Sequence, residues 1–409
     1  MTRPGIASTP LPTMPGLAKG WCPGAHRPMA SGDGLLVRIR PRLARLTASQ
    51  TIALCELAQG FGSGFIDLTN RANLQLRGVQ PGDHAAVIEA LCRLDLLDAD
   101  ATRERWPAIL VAPCWQTGDD TERIATALAA RLAELPALPP KFGFAVDAGP
   151  APVLGAASAD VRIERGSSGG LIVRAHGAAA GHAVTAADAV TAALAMATWF
   201  AATTASAEPA PRRMKLLLDT HTLPQALRPT EQPAAAATLP APGVCQLGPV
   251  YGVAFGQIEA TALARLLQDT GATALRLTPH RALILEGGRW RASSDCSTQA
   301  DDPLLHIYAC PGAPSCASAT VATRDLARAL VRDIARDISS GFAREATNHK
   351  RRSLHISGCA KGCARALAAD ITLVGRNGAF DLVRNGCAGD APSHTGLAPA
   401  ALRSLLGTL

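Results

Sequence analysis

Apolar and basic positions alternate toward the end of residues 35–40, Val37-Arg38-Ile39-Arg40, which predicts a half-buried strand. Residues 49–60 carry a helical spacing, with Ser49 as N-cap and Gly60 as stop. Two more strands are predicted at 65–68 and 73–77. An amphipathic helix follows at 82–97, with Val87, Leu91 and Leu94 on one face. The pattern then returns as a strand at 251–256, a helix at 259–268 and a strand pair at 274–286. At a constant offset of 209, Leu57 falls on Leu266, Gly62 on Gly271, Leu68 on Leu277 and Thr69 on Thr278. Leu74, Leu76 and Gly78 fall likewise on Leu283, Leu285 and Gly287. A period this long is no solenoid; it predicts two copies of one half about a pseudo-twofold axis.

Elsewhere the pattern is simpler. Residues 1–27 are rich in Pro, Gly and Ala and read as an irregular arm, and 207–243 as a Pro/Ala-rich linker. The C-terminal part alternates a helix at 323–338, a strand at 354–357 and a strand pair at 371–374 and 380–384. The expected class is α+β, a chain of paired halves.

Composition narrows the function classes. The 409-residue chain is 48% hydrophobic and 18% charged, which excludes a disordered chain and allows a substantial core. Its eleven cysteines are too dispersed for a disulfide scaffold. The Ala-rich stretch 189–207 is too weakly apolar to span a bilayer, and no signal-peptide pattern opens the chain. A cytoplasmic protein without membrane contact is expected. The net charge of +7 suits an anionic partner. The basic residues are nearly all arginine, and only Lys350-Arg351-Arg352 forms a run. No basic stripe with interleaved aromatics is present, so no nucleic-acid partner is expected.

Four cysteines carry candidate chemistry: Cys310-x5-Cys316 and Cys359-x3-Cys363. Two pairs from separate loops can close on one metal centre. Cys359 and Cys363 can face one way on a single turn, and Gly358 and Gly362 let backbone N–H groups approach the sulfurs. Spacing alone leaves open a zinc site and an iron–sulfur cube. Cys22, Cys55, Cys92, Cys114, Cys245, Cys296 and Cys387 read as ordinary packing cysteines.

This cysteine arrangement resembles that of the sulfite and nitrite reductase superfamily. There it holds a [4Fe–4S] cluster whose last cysteine bridges to the iron of a sirohaem. The repeated half resembles that family's duplicated ferredoxin-like half-domain. Val37-Arg38-Ile39-Arg40 and the stretch from Thr69-Asn70-Arg71 to Gln75-Leu76-Arg77 resemble its tetrapyrrole-binding strands. The resemblance implies two ferredoxin-like half-domains, at 28–80 and 244–292, and two α/β domains related by pseudo-twofold duplication, at 81–206 and 300–405. The second α/β domain would bind the cluster through Cys310, Cys316, Cys359 and Cys363. Arg38, Arg40, Arg71, Gln75, Arg77 and Lys141 would meet tetrapyrrole carboxylates, which suits the two-pronged, permanently charged guanidinium.

The departures favour one branch. Anion reductases of the superfamily carry a Pro-Arg-Lys-Phe-Lys-like segment; here Lys141-Phe142-Gly143 lacks the second lysine. A further arginine is displaced around Trp106-Pro107-Ala108, where Arg105 could compensate. Fewer cations would weaken sulfite or nitrite reduction. The stretches from Pro28-Met29-Ala30 to Arg38 and from Leu354-His355-Ile356 to Ala364 resemble the precorrin-3B synthase branch instead. That resemblance implies oxygen-dependent hydroxylation of precorrin-3A with lactone formation, in aerobic cobalamin biosynthesis. It also implies O2 as co-substrate, a mononuclear non-haem iron and an external electron donor, a reductase or ferredoxin fed by NADH. His26, His280, His355 and Asp33 are the candidate donors to such an iron. The alternative is a sirohaem-dependent sulfite or nitrite reductase.

Overall fold

The computed structural model describes residues 23–339 and 353–402, the first stretch with side chains to residue 332. Cys22, most of the expected arm and the Lys350-Arg351-Arg352 run lie outside the described residues.

The first half-domain holds β1 (Met29–Ser31), β2 (Gly34–Ile39), β3 (Arg45–Thr47), α1 (Ala48–Phe61), β4 (Phe65–Leu68), β5 (Leu74–Val79) and α2 (His84–Arg93). The first α/β unit follows. It contains β6 (Ala108–Val111), α3 (Asp120–Arg131), β7 (Gly143–Asp147), β8 (Val161–Arg165), β9 (Leu171–Ala175), β10 (His182–Val184), α4 (Ala189–Thr204) and α5 (Met214–Leu218). The second half-domain holds β11 (Gly243–Cys245), β12 (Gly248–Gly252), β13 (Gln257–Glu259), α6 (Ala260–Thr270), β14 (Ala274–Leu277) and β15 (Ala282–Glu286). The second α/β unit holds β16 (Ile307–Ala309), α7 (Arg324–Ser339), β17 (Leu354–Ser357), β18 (Ala369–Arg376), β19 (Ala379–Gly386) and β20 (His394–Leu397).

Both levels of the molecule are duplicated. The half-domain sheets run β1-β2-β5-β4-β13 and β11-β12-β15-β14-β3, so each borrows its last strand from the other half. Helices α1 and α6 pack together beneath them in one shared core. The α/β sheets run β6-β7-β8-β9-β10 and β16-β17-β18-β19-β20, each with three parallel strands and then two antiparallel ones. Each of these sheets has its own core.

The repeat reaches single hydrogen bonds. Thr69 Oγ1 accepts from the N–H groups of Arg71 and Asn73, and Thr278 Oγ1 from those of His280 and Ala282. At the next turn Gly78 and Gly287 both take positive φ, 74° and 71°.

Some boundaries differ from the sequence reading. Thr47, not Ser49, caps α1, because its side chain and that of Gln50 form a reciprocal capping box. The helix runs past Gly60 to a cap at Gly62. The helix expected over 82–97 is confined to α2, after a short 3-10 turn. The stretch 207–243 wraps over the first α/β unit. Arg213 pairs with the buried Asp160 at 2.9 Å, and Pro233 and Glu231 bridge to Gly166 and Gly181. Among the described residues, no helix is long and apolar enough to cross a membrane.

Candidate functional site

Strand alternation makes one face of the first half-domain sheet polar. Val37, Ile39, Ile66, Leu68, Leu74 and Leu76 enter the core. Their neighbours Arg38, Asp67, Gln75 and Arg77 therefore share the opposite face. Arg38 lies across from Gln75 in the β2–β5 ladder and donates to its Oε1 from Nη2 at 2.7 Å and from Nε at 3.2 Å. Arg40 reaches the carbonyl of Trp106 at 3.3 Å. Arg71 donates to the carbonyl of Lys141 at 2.9 Å and to Ser158 Oγ at 3.2 Å. Arg71 and Lys141 are thus brought together from different units, with the Lys141 side chain exposed. Arg105 is also exposed, at the end of a 3-10 turn.

Arg77 is placed differently from the other basic residues. Its side chain is only 7% exposed and pairs with Asp33 at 3.1 Å and, more loosely, with Asp67 at 3.9 Å. It also donates to Ser31 Oγ at 2.6 Å and to the carbonyl of Ser315 at 2.8 Å. Ser31 Oγ donates to that same carbonyl at 2.8 Å. Ser315 lies between Cys310 and Cys316, so Arg77 clamps the polar sheet face to the cysteine loop. From the other side, Arg324 of α7 pairs with Asp67 at 3.3 Å. Sequence reasoning missed Ser31, Asp67, Ser315 and Arg324 in this clamp. One signal was present. At the offset of 209, Asp67 and Arg77 fall on Arg276 and Glu286, a charge pair with its signs reversed.

The two cysteine loops are stitched together. Cys310 Sγ accepts the Gly358 N–H at 3.1 Å, and the Thr320 N–H donates to the Gly358 carbonyl at 3.2 Å. A side chain at Gly358 would collide with Ala319, its Cβ falling 2.5 Å from that methyl, so glycine is required for the loops to approach this closely. Lys361 Nζ reaches Ser318 Oγ at 2.9 Å. The Cys363 thiol is pushed above the ordinary thiol value, first by its packing and then by the Cys310, Cys359 and Cys316 thiols, although its side chain still reaches solvent. The two loops that carry the four cysteines therefore lie against each other.

Among the described residues, no three His, Cys, Asp or Glu side chains converge closely enough for a single metal ion. Zinc would draw four sulfurs to about 2.3 Å from one point. An iron–sulfur cube instead takes one thiolate at each of four irons and spreads them. The Gly358 N–H that already donates to the Cys310 sulfur is the kind of hydrogen bond that steadies a cluster thiolate. The expected mononuclear-iron donors do not gather. His26 Nε2 contacts the Asp98 carbonyl at 2.7 Å, His280 lies exposed in the β14–β15 turn, and Asp33 is paired with Arg77. His355 is fully buried with neither ring nitrogen hydrogen-bonded, and burial, reinforced by Arg365, lowers its pKa to about 4.

Residues 27–94 match the family described as the nitrite/sulfite reductase ferredoxin-like half domain. A precorrin-3B synthase of a Sinorhizobium species is 33% identical over 420 residues, covering 93% of this chain and 86% of the relative. The structure of the Mycobacterium tuberculosis NirA protein superposes with a TM-score of 0.66 at 16% identity, covering 91% of this chain and 79% of that one. That structural likeness carries the fold alone, whereas the sequence relative carries the family. With the duplicated half-domains and four-cysteine loops in view, the chain belongs to the precorrin-3B synthase family of enzymes, built on the nitrite and sulfite reductase fold.

Proposed function

We propose that this chain hydroxylates precorrin-3A, with lactone formation, to give precorrin-3B in an O2-dependent step of cobalamin biosynthesis. The observation that carries the reading is the clamp of Arg77 on Ser315, which joins a polar, arginine-bearing sheet face to the four-cysteine loops.

In this reading Arg38, Arg40, Arg71, Gln75 and Lys141 bind the carboxylate arms of the precorrin. Arginine forks select planar carboxylates, and several spaced around one face fix the orientation of a rigid macrocycle. Gln75 holds the Arg38 guanidinium through its Nε and Nη2 donors, so the remaining edge meets its ligand with little rotamer entropy left to lose. Arg77, with its acidic partners, positions the cysteine loop rather than the substrate. Cys310, Cys316, Cys359 and Cys363 would hold a [4Fe–4S] cluster, which supplies single electrons when bound. An external reductase or ferredoxin would feed it.

The test is incubation of reconstituted protein with precorrin-3A and an electron donor under isotopically labelled O2, with an anaerobic control. Gain of one labelled oxygen atom, absent anaerobically, is expected. A product formed equally without O2, or reduction of sulfite or nitrite on stoichiometric sirohaem, overturns the reading.

A further inference from the structure

The loop after β6 is the duplicated counterpart of the cysteine loop after β16, because the two α/β sheets share one strand order. It carries a cysteine of its own, Cys114. Arg276 reaches the carbonyls on either side of that residue, Pro113 at 3.1 Å and Trp115 at 2.6 Å, and its guanidinium stacks 3.9 Å from the Trp115 ring centre. Cys114 and Cys245 pack against the same patch of Val250, Ala282 and Ile284. Cys245 ends β11 in the second half-domain, so the two sulfurs come from separate units. Each residue is partly exposed, so a small oxidant can reach them.

We infer that Cys114 and Cys245 form a redox-active dithiol, oxidised by a peroxide to a disulfide that links the first α/β unit to the second half-domain. Cys245 is the attacking member. Its pKa lies well below the ordinary thiol value, through the hydrogen bond with Cys114 first, with the Leu247 and Gly248 N–H groups and the Arg276 charge also favouring the thiolate. The Cys245 thiolate attacks the peroxide O–O bond, giving a sulfenic acid and an alkoxide or hydroxide that takes up a proton. The Cys114 thiol then displaces the sulfenic hydroxyl, which leaves as water. The two thiols lose two electrons and the peroxide gains them. Cys55 and Cys296 serve as internal references, because burial pushes both thiols up to about 12 and leaves them unreactive.

The experiment titrates full-length holoprotein with hydrogen peroxide, blocks remaining thiols with iodoacetamide and maps peptides by mass spectrometry without reduction. The expected product is one linked peptide pair containing Cys114 and Cys245, two hydrogens lighter than the free pair and restored by dithiothreitol. Cys55 and Cys296 remain alkylated in the same digest. In Cys114→Ser the sulfenic acid of Cys245 persists and is trapped by dimedone; in Cys245→Ser, Cys114 stays alkylatable. The inference is overturned if peroxide oxidises other cysteines while Cys114 and Cys245 both remain alkylated, or if Cys245 pairs with a different cysteine.

Discussion

Arg38 and Arg77 sit on the same sheet face, yet their surroundings set them different tasks. Arg38 is half-buried and donates from Nε and Nη2 to a neutral amide, that of Gln75. Arg77 is enclosed by Asp33, Ser31 and the Ser315 carbonyl, and its charge is balanced within the protein. Replacing Arg38 or Arg71 with Ala should therefore raise KM for the tetrapyrrole about tenfold, the size of one charge-assisted hydrogen bond, with a smaller change in kcat. Titration of tetrapyrrole absorbance against protein checks this, and Arg38→Lys should recover little because it cannot present a fork. The basic residues themselves were legible, since strand alternation and their spacing lie within a few positions. The distinction between Arg38 and Arg77 was not, because Asp33 and Ser315 reach Arg77 from remote parts of the chain.

At the scale of elements, the exchanged strands tie the two halves together. β3 of the first half pairs with β14 of the second, and Arg45 on β3 grips Glu286 through two hydrogen bonds of 2.9 and 3.1 Å. Arg276 holds the same carboxylate at 2.7 Å. These cations, Arg45 first, hold the Glu286 pKa down to about 2. Because its folded value is depressed, the stabilisation is complete above the unfolded value near 4.5 and is lost as pH falls toward 2. Thermal melts of the wild type should lose stability over that window. Glu286→Gln should be less stable at neutral pH and should lack this part of the acid slope. Neither β3 nor β13 was legible as a strand. Each has three residues, too few for an alternation to register, and each pairs with the opposite half.

For the whole molecule, the reversed charge pairs do the equivalent work in the two halves. Asp67 and Arg77 fasten the first half-domain to the cysteine unit, and Arg276 and Glu286 fasten the second to the loop around Cys114. Removing Arg77 takes the cation from the partly exposed Asp33 while Asp67 keeps Arg324, which costs about 1–3 kcal/mol. Arg77→Met should lower the urea midpoint accordingly. It should also raise amide exchange in residues 310–321 more than in the first α/β unit, measured by hydrogen–deuterium exchange. Equal loosening of both units would mean that Arg77 does not act through the Ser315 contact.

The chain's local order carried the repeat, the class, the basic strands and the cysteine spacing, because each is written within a turn, a strand or a constant offset. The family resemblance rested on those same short motifs. Tertiary structure decided the strand exchange, the inward turn of Arg77, the approach of the two cysteine loops and the shared packing of Cys114 and Cys245. These contacts join residues up to hundreds of positions apart, and such closures leave no periodic trace in a sequence. They depend on which faces remain uncovered once the cores have packed.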